Sequence, residues 1–290
     1  MNPIKKVAAI HDLSGYGRTS LIVIIPILST MGIQVCPFPT AILSNNTGYF
    51  EDFSFVDLTD SMEEYMNHWK KAAIEFDCIY TGFLGSQRQV DIILDFIETF
   101  KSSENLLVVD PVMGDHGKLY PTIDQGMVEK MKSLVKRADI IIPNYTEALY
   151  LLDKEYTTQT TVEGVKGMLR DLAAMGPKMV VITSVPDMTD SGDINVFGYD
   201  KENNMFCKVS CKHIPVEFPG TGDSFASVLI GNLLKGDNLA IALDKSVQFI
   251  FTGIKESYAY SYPRKEGILL EKILDVLNMP ITNSTYELLD

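Results

Sequence analysis

The sequence predicts an α/β fold in which a doubly wound, mostly parallel sheet is covered by helices on both faces. Short apolar runs alternate with amphipathic stretches of helical length, an order typical of parallel strands joined by right-handed crossovers. Several of these runs are apolar on both faces, as strands of a parallel sheet covered by helices are. A chain of 290 residues can bury one large core. We therefore expect residues 1–290 to form a single domain.

Apolar runs predict six strands for this sheet. They lie at residues 5–10, 34–43, 77–84, 106–112, 139–143 and 178–184. Two further β-rich segments, 194–200 and 204–214, are separated by a polar turn. We expect these two segments to form an antiparallel hairpin at the sheet edge.

Amphipathic periodicity predicts the helices that cover the sheet. They lie at residues 18–31, 58–75, 90–101, 123–137, 162–175, 221–234, 238–256 and 267–277. Pro26 falls inside the first of them. Because an interior proline removes a backbone hydrogen bond, we expect that helix to be kinked.

The composition argues against several classes of partner. The net charge is −13, whereas nucleic-acid binders usually carry a basic patch. No apolar run approaches the ~20 residues that span a bilayer, and the first residues lack the apolar segment of a signal peptide. The four cysteines do not have zinc-site spacing and are interpreted as packing residues. We expect a cytoplasmic protein with neither nucleic-acid nor membrane partners.

The segment 218–225, Phe-Pro-Gly-Thr-Gly-Asp-Ser-Phe, carries the most chemical information. Its glycines allow a tight turn close to a ligand, and the helix that follows presents unpaired N–H groups to an anion. A carboxylate at such a turn repels phosphate, and a general base that has to stand beside the transferred group explains its presence. This is the role we assign to Asp223. The alternative is that Asp223 only caps the helix. The chain has no Gly-x-x-x-x-Gly-Lys-Ser/Thr loop, so a Walker-type nucleotide site is not supported.

At this motif the chain resembles the ribokinase-like superfamily and, within it, the vitamin B6 kinases. The resemblance covers nearly the whole chain through ordered motifs. They are His-Asp-Leu-Ser-Gly-Tyr-Gly (11–17), Leu-Ser-Asn-Asn-Thr-Gly-Tyr (43–49), Thr-Gly-Phe-Leu-Gly-Ser (81–86), Val-Asp-Pro-Val-Met-Gly-Asp (109–115), Pro-Asn-Tyr-Thr-Glu-Ala (143–148), Ile-Thr-Ser (182–184) and Gly-Thr-Gly-Asp (220–223). The last motif marks the superfamily, and the second and fourth point to B6 kinases. Asn46 departs from that pattern, because many relatives have histidine there.

The resemblance implies a role for each matching residue. Asp223 takes the proton of the substrate hydroxymethyl group, beside an anion hole made by Gly220, Thr221 and Gly222. The residues implied for ATP are Asp110, Asp115, Thr183 and Ser184. Those implied for Mg²⁺, held through water, are Asn144 and Glu147. Those implied for the vitamin pocket are Asp12, Ser14, Thr47 and Gly48, with Tyr49 at its rim.

The implied reaction is ATP-dependent phosphorylation of the 5′-hydroxymethyl group of pyridoxal, pyridoxine or pyridoxamine by a homodimer. The implied cofactor is Mg²⁺, and a requirement for a monovalent cation is left open. Hydroxymethylpyrimidine kinase is the nearest alternative. A sugar kinase is another, because Asp12 stands where sugar kinases of the superfamily keep an acidic ligand. A non-catalytic B6- or nucleotide-binding protein is the alternative of a different class, and the presence of Asp223 argues against it.

Two of these motifs also have a purely structural interpretation. Asn144 followed by Glu147 three residues later is the pattern of a helix capping box. His11, directly after an apolar strand, is interpreted as a structural histidine held by hydrogen bonds.

Overall fold

A computed structural model describes residues 3–46, 50, 52–188, 191–280 and 283–290 of the chain. Its strands are β1 (Lys6–Tyr16), β2 (Gln34–Asn45), β3 (Phe55–Asp57), β4 (Cys78–Thr81), β5 (Leu106–Val109), β6 (Gly114–Asp115), β7 (Lys118–Leu119), β8 (Ile140–Ile141), β9 (Met179–Val185), β10 (Asp193–Asp200), β11 (Met205–Lys212) and β12 (Tyr286–Leu289). Its α-helices are α1 (Leu21–Thr30), α2 (Thr59–Lys71), α3 (Gln87–Phe100), α4 (Gln125–Val135), α5 (Tyr145–Leu151), α6 (Val162–Ala174), α7 (Thr221–Leu234) and α8 (Leu239–Tyr258).

Ten of these strands form one sheet in the order β12-β11-β10-β9-β8-β5-β4-β1-β2-β3. The six strands from β2 to β9 in this order pair in parallel, while β3, β10, β11 and β12 pair antiparallel to their neighbours. From β1 the chain moves outward to β2 and then returns to β4 on the opposite side. The predicted doubly wound sheet is confirmed, with its point of reversal between β1 and β4.

Both faces of the sheet are covered, as the apolar strands require. Alternate residues of β1 enter two cores, Ala8 and Ile10 on one face and Val7 and Ala9 on the other. The first core receives side chains of helices α2 to α6, and the second those of α1, α7 and α8. Because neighbouring strand residues point to opposite faces, a strand buried on both faces needs apolar side chains at consecutive positions.

The hairpin of β10 and β11 forms as predicted, but it is not the edge of the sheet. Strand β12, near the end of the chain, pairs with β11 and takes the edge position. Asp244 of α8 accepts hydrogen bonds from the Thr285 amide and hydroxyl and so holds the residue just before this strand. This contact joins positions 41 residues apart, and local patterning gives no sign of it.

The predicted helix at 267–277 is wrong. Three short 3₁₀ helices stand near this region, at Arg264–Glu266, Leu270–Lys272 and Leu274–Asn278. Leu269 has ψ 69° and Ile273 has φ −125°, and an α-helix cannot contain either conformation in its interior. Ile268 and Ile273 are buried against α8, where they pack near Gly253. Burial of side chains at this irregular spacing favours the tighter turns over a continuous α-helix.

Helix α1 contains Pro26 as predicted, and the kink at that residue stays a prediction. Within the described residues, no helix is both long and apolar enough to cross a bilayer. All four cysteines are free thiols, as the packing interpretation requires.

Candidate active site

The carboxyl ends of the parallel strands bring the sequence-predicted residues to one edge of the sheet. Asp12 and Ser14 lie in the last part of β1, Asp110 directly follows β5, and Asn144 follows β8. Asn144 also forms a parallel bridge with Thr183 of β9. Open parallel sheets bind their ligands at this edge, and the reversal between β1 and β4 is the usual position of the crevice.

Asp223 lies in the first turn of α7 and reaches back to this edge. Its Oδ2 accepts a hydrogen bond from the Ser20 backbone N–H at 2.8 Å. The Ser20 hydroxyl donates to Asp12 Oδ1 at 2.6 Å, and the Ser14 hydroxyl donates to Asp12 Oδ2 at 3.0 Å. Ser20 therefore joins the two acidic side chains. The predicted proximity of Asp12, Ser14 and Asp223 is present in the structure.

Burial changes the acidity of this group of carboxylates. It raises the pKa of Asp223 to about 6, with a further increase from the nearby Asp12 charge. Burial also raises the pKa of Asp12, against the lowering effect of its two serine hydrogen bonds. The pKa of Asp110 lies well above its usual range, first through burial and then through the charges of Glu147 and Asp223. A carboxylate whose pKa is about 6 is ionised at neutral pH and is well suited to accept a proton there.

The turn before α7 is built around Gly220. Its φ of +76° is left-handed, and a Cβ there would lie 1.9 Å from the Arg18 carbonyl oxygen, so another residue cannot fit. A Cβ on Gly222 would meet no atom within 4 Å, and that residue faces open space. Helix α7 begins at Gly220 without a side-chain N-cap, as α1 and α2 also begin without one, whereas α3 to α6 and α8 are capped. Its first N–H groups, including that of Thr221, are therefore placed to bind an anion.

Asn144 and Glu147 form the capping box of α5. Asn144 Oδ1 accepts from the Glu147 N–H at 2.9 Å, and Glu147 Oε2 accepts from the Asn144 N–H at 2.8 Å. Glu147 Oε1 also accepts from the Met113 N–H, and Asn144 Nδ2 donates to the Gly114 carbonyl oxygen. The structural interpretation of this pair is confirmed. Burial raises the pKa of Glu147 to about 8, and the Asp115 charge adds to this increase.

The hydrogen bonds of the capping box limit how Asn144 and Glu147 could bind a divalent cation. Within the described part of the chain, no three His, Cys, Asp or Glu side chains are arranged to hold a metal on their own. Direct ligation by Asn144 or Glu147 would compete with the capping box, whereas contact through water leaves it intact. Buried carboxylates such as Asp110 and Glu147 raise each other's cost of ionisation, and a cation arriving with its waters would offset this. The residues fit Mg²⁺ in the outer shell.

Thr183 and Ser184 lie near the end of strand β9, beside Asn144. The Thr183 N–H donates to the Pro143 carbonyl oxygen at 3.0 Å, which aligns the ends of β8 and β9. Ser184 is exposed and has φ +55°, a left-handed conformation that is unusual outside glycine. Asp115 lies in the short β6–β7 hairpin, half-exposed, and accepts from the His116 N–H. The remaining pocket predictions, Thr47, Gly48 and Tyr49, lie outside the described residues.

Two residues near Asp223 were not assigned to the site from the sequence. Ser20 reads as an ordinary helix start, and nothing near it in the sequence indicates a partner 203 positions away. His11 was interpreted as a hydrogen-bonded structural residue. That interpretation is wrong, because neither ring nitrogen of His11 has a hydrogen-bond partner among the residues that the structure describes.

Comparison with known proteins agrees with this geometry. The family model for phosphomethylpyrimidine kinases matches residues 25–267. The chain belongs to this family. A pyridoxal kinase of Arabidopsis thaliana is also 31% identical over 253 residues, which cover 80% of this chain and 77% of that protein.

Solved structures of the family extend the match over the whole chain. A Bacteroides thetaiotaomicron protein, assigned as a phosphomethylpyrimidine kinase and crystallised with pyridoxal, is 51% identical. It covers 99% of this chain and 100% of its own, with a TM-score of 0.95. Pyridoxal kinase from Lactobacillus plantarum is 31% identical, covers 94% and 96% of the two chains, and has a TM-score of 0.86. The ribokinase-like fold is confirmed, and the chain is a kinase that transfers phosphate to an alcohol group.

Replacing Asp223 with asparagine should stabilise the folded protein at neutral pH. The folded-state pKa of about 6 lies above the ordinary 3.8, so the ionised side chain is destabilising above pH 6. The expected gain in free energy of unfolding at pH 8 is on the order of 1–3 kcal/mol. It should shrink as the pH falls from 6 to 4 and vanish where both states are protonated. Urea unfolding at several pH values measures this.

The matched control is Asp275→Asn, because Asp275 is exposed. Its stability should stay within about 0.5 kcal/mol of the parent at every pH. An Asp223→Asn protein that is no more stable than this control at pH 8 would contradict a raised pKa.

Proposed function

We propose that this kinase transfers the γ-phosphate of ATP to the 5′-hydroxymethyl group of a B6 vitamer, with Asp223 as the base. The observation that carries the proposal is the placement of Asp223. Its carboxylate is largely buried, one oxygen is held by Ser20, and it stands in the first turn of a helix whose N-terminus has no side-chain cap. A base and an anion site therefore share one turn.

The chemistry follows from this arrangement. The Asp223 carboxylate takes the hydroxyl proton of the substrate as the oxygen attacks the γ-phosphorus. The bond from that phosphorus to the bridging oxygen of ADP breaks, and ADP leaves with its electron pair. Negative charge on the transferred group is stabilised by the N–H groups of Gly220, Thr221 and Gly222 at the helix start. Catalysis consists of positioning, one proton transfer and electrostatic stabilisation.

The nucleotide side of the site would be formed by the strand ends next to the acidic group. We assign Thr183 and Ser184 to the ATP phosphates and Asp110 and Asp115 to the region around them. When bound, Mg²⁺ would neutralise phosphate charge that the buried carboxylates otherwise oppose. Asn144 and Glu147 would hold it through water, because their own side chains are committed to the capping box.

The contacts of Asp12 favour a pyridine substrate over a sugar. In a sugar kinase, an acidic side chain at the position of Asp12 would accept hydrogen bonds from hydroxyl groups of the substrate. Here Asp12 is buried, and both of its oxygens are held by serine hydroxyls of the protein itself. We therefore assign Asp12 and Ser14 to the wall of the vitamin pocket, with Thr47 and Gly48 completing it. The pyridoxal bound by the Bacteroides relative supports this substrate class.

Asp223→Asn should remove most of the turnover while nucleotide binding is kept. A general base contributes about 10²- to 10⁴-fold, so we expect kcat to fall by that factor. An ADP-release assay measures kcat, and calorimetry measures ATP affinity. Asp275→Asn serves as the control and should keep the parent kcat. Near-parent turnover in Asp223→Asn would exclude Asp223 as the base.

The substrate can be decided by one panel of alcohols. Pyridoxal, pyridoxine, pyridoxamine, hydroxymethylpyrimidine and ribose are assayed for ADP release with Mg²⁺, in potassium and in sodium buffer. We expect the highest kcat/KM with a B6 vitamer and no turnover of ribose. A higher kcat/KM with hydroxymethylpyrimidine would favour the alternative of the same chemistry. No turnover of any alcohol would favour a binding protein.

We also propose that the protein is a homodimer that acts in the cytoplasm. The edge strand β3 exposes Phe55 and Val56, and Ile42 of β2 and Phe53 are partly exposed beside them. An exposed apolar sheet edge is unfavourable for a monomer and is suited to pairing with a second copy. Four free thiols fit a reducing compartment.

Val56→Asp should convert the dimer to a monomer, because a charge at the paired edge is costly to bury. Light scattering coupled to gel filtration measures the mass. Leu288→Asp is the matched control, since Leu288 is 60% exposed on the opposite edge strand. Loss of the dimer in both variants, or in neither, would contradict pairing through β3.

A further inference from the structure

His11 is a fully buried polar residue that the proposed mechanism does not use. It lies in β1 just before the irregularity in the pairing of β1 with β2. Its ring contacts the ring of Tyr80 edge-on, with 4.4 Å between centroids. Neither ring nitrogen has a hydrogen-bond partner among the described residues. Because an unpaired buried polar group costs free energy, a leucine or phenylalanine would be more stable here. The histidine therefore needs a reason beyond packing.

The ring faces the proposed base. His11 Nδ1 lies 3.9 Å from Asp223 Oδ1, while Asp223 Oδ2 is the oxygen held by the Ser20 N–H. A shift of about 1 Å would bring Nδ1 and Oδ1 to hydrogen-bond distance. Catalytic hydrogen bonds are commonly long without substrate and tighten when it binds.

The position of the ring is fixed by Gly82, in the motif 81–86 to which no function had been assigned. A Cβ on Gly82 would lie 2.2 Å from His11 Cε1 and 2.4 Å from Nδ1. The Gly82 N–H donates to the Ile10 carbonyl oxygen, which holds the end of β4 against β1. Since φ at Gly82 is not left-handed, the glycine is needed here for the space it leaves to the imidazole.

We propose that His11 is a positioning residue for the base: its Nδ1–H donates to Asp223 Oδ1 in the reacting complex and holds the carboxylate toward the substrate hydroxyl. This inference rests on the proposed role of Asp223. Together with the Ser20 N–H on Oδ2, it gives each carboxylate oxygen a fixed donor. The free lone pair of Oδ1 is then left to accept the substrate proton.

The surroundings keep the imidazole in the required form. Burial lowers the pKa of His11 to about 3, so the ring is neutral and carries one N–H. The ionisable groups that act on the base are Asp12, Asp110 and Tyr80. None of these is cationic. An ionised Asp223 facing a bare Nδ1 lone pair would be repelled, so the tautomer with hydrogen on Nδ1 is favoured.

The test compares His11→Asn with His11→Leu, whose side chains have nearly the same shape. The asparagine amide can place a donor close to the Nδ1 position, whereas leucine cannot. The readout is the pH dependence of kcat with saturating pyridoxal, ATP and Mg²⁺. A hydrogen-bond donor to the charged carboxylate lowers the pKa of Asp223. Loss of this donor in His11→Leu should therefore move the acidic limb of the kcat–pH profile upward by about one pH unit. The lower ionised fraction of Asp223 at pH 7 accounts for about 2-fold of the fall in kcat. With the loss of its orientation toward the hydroxyl we expect about 10-fold in all, with KM within about 3-fold.

In His11→Asn the limb should stay within about 0.3 units of the parent and kcat within about 3-fold. Identical acidic limbs in the two variants would overturn the proposal. Gly82→Ala, which displaces the ring, is the second variant, and its limb should move in the same direction as in His11→Leu. If neither His11 variant folds, as judged by thermal unfolding, an unshifted limb in Gly82→Ala would overturn it. Failure of the Asp223 assignment itself would appear separately, as parent-like turnover in Asp223→Asn.

Discussion

The hydrogen bond from the Ser20 backbone to the Asp223 carboxylate determines where the proposed base stands. It connects the N-termini of α1 and α7, two helices on the same face of the sheet. Ser20 adopts φ 51° and ψ −134° to make it, a conformation that costs about 1–3 kcal/mol outside glycine. The same residue holds Asp12 through its hydroxyl. One strained residue thus sets the geometry of both acidic groups, which is typical of a functional site.

The edge of the sheet concentrates negative charge that folding alone does not favour. Asp12, Asp110, Glu147 and Asp223 are all withdrawn from water, and the pKa of each is raised. In a chain of net charge −13 this arrangement works against stability. On the proposed function, a cation that binds together with a polyanion would offset the negative charge of both. The burial of these carboxylates destabilises the folded protein. Such a loss of stability is consistent with a site that binds a metal–nucleotide complex.

Much of the fold could be predicted because it rests on local patterns. Strands buried on both faces, such as β1, need consecutive apolar residues, and α7 follows its glycine turn directly. The 267–277 region was mispredicted because Leu269 and Ile273 are non-helical, and neither residue type gives a local sign of this. Strand β12 was missed because its partner is remote in sequence.

The candidate site divides in the same way. Asp223, Gly220 and the capping box of Asn144 and Glu147 could be found from residue types at fixed spacing. Ser20 and His11 could not, since each meets Asp223 only through the folding of β1 and α1 against α7. A serine at a helix start and a histidine after a strand have ordinary local explanations. Their roles depend on contacts across more than 200 residues.

The account depends most on Asp223 being a buried carboxylate that ionises near neutral pH. Its titration can be followed directly by ¹³C NMR of protein labelled at the aspartate carboxyl carbon, with the resonance identified by its absence in Asp223→Asn. Without nucleotide or magnesium, the midpoint should lie at about 6. A midpoint at the ordinary value of about 3.8 would show a solvated, unremarkable side chain and would contradict the account.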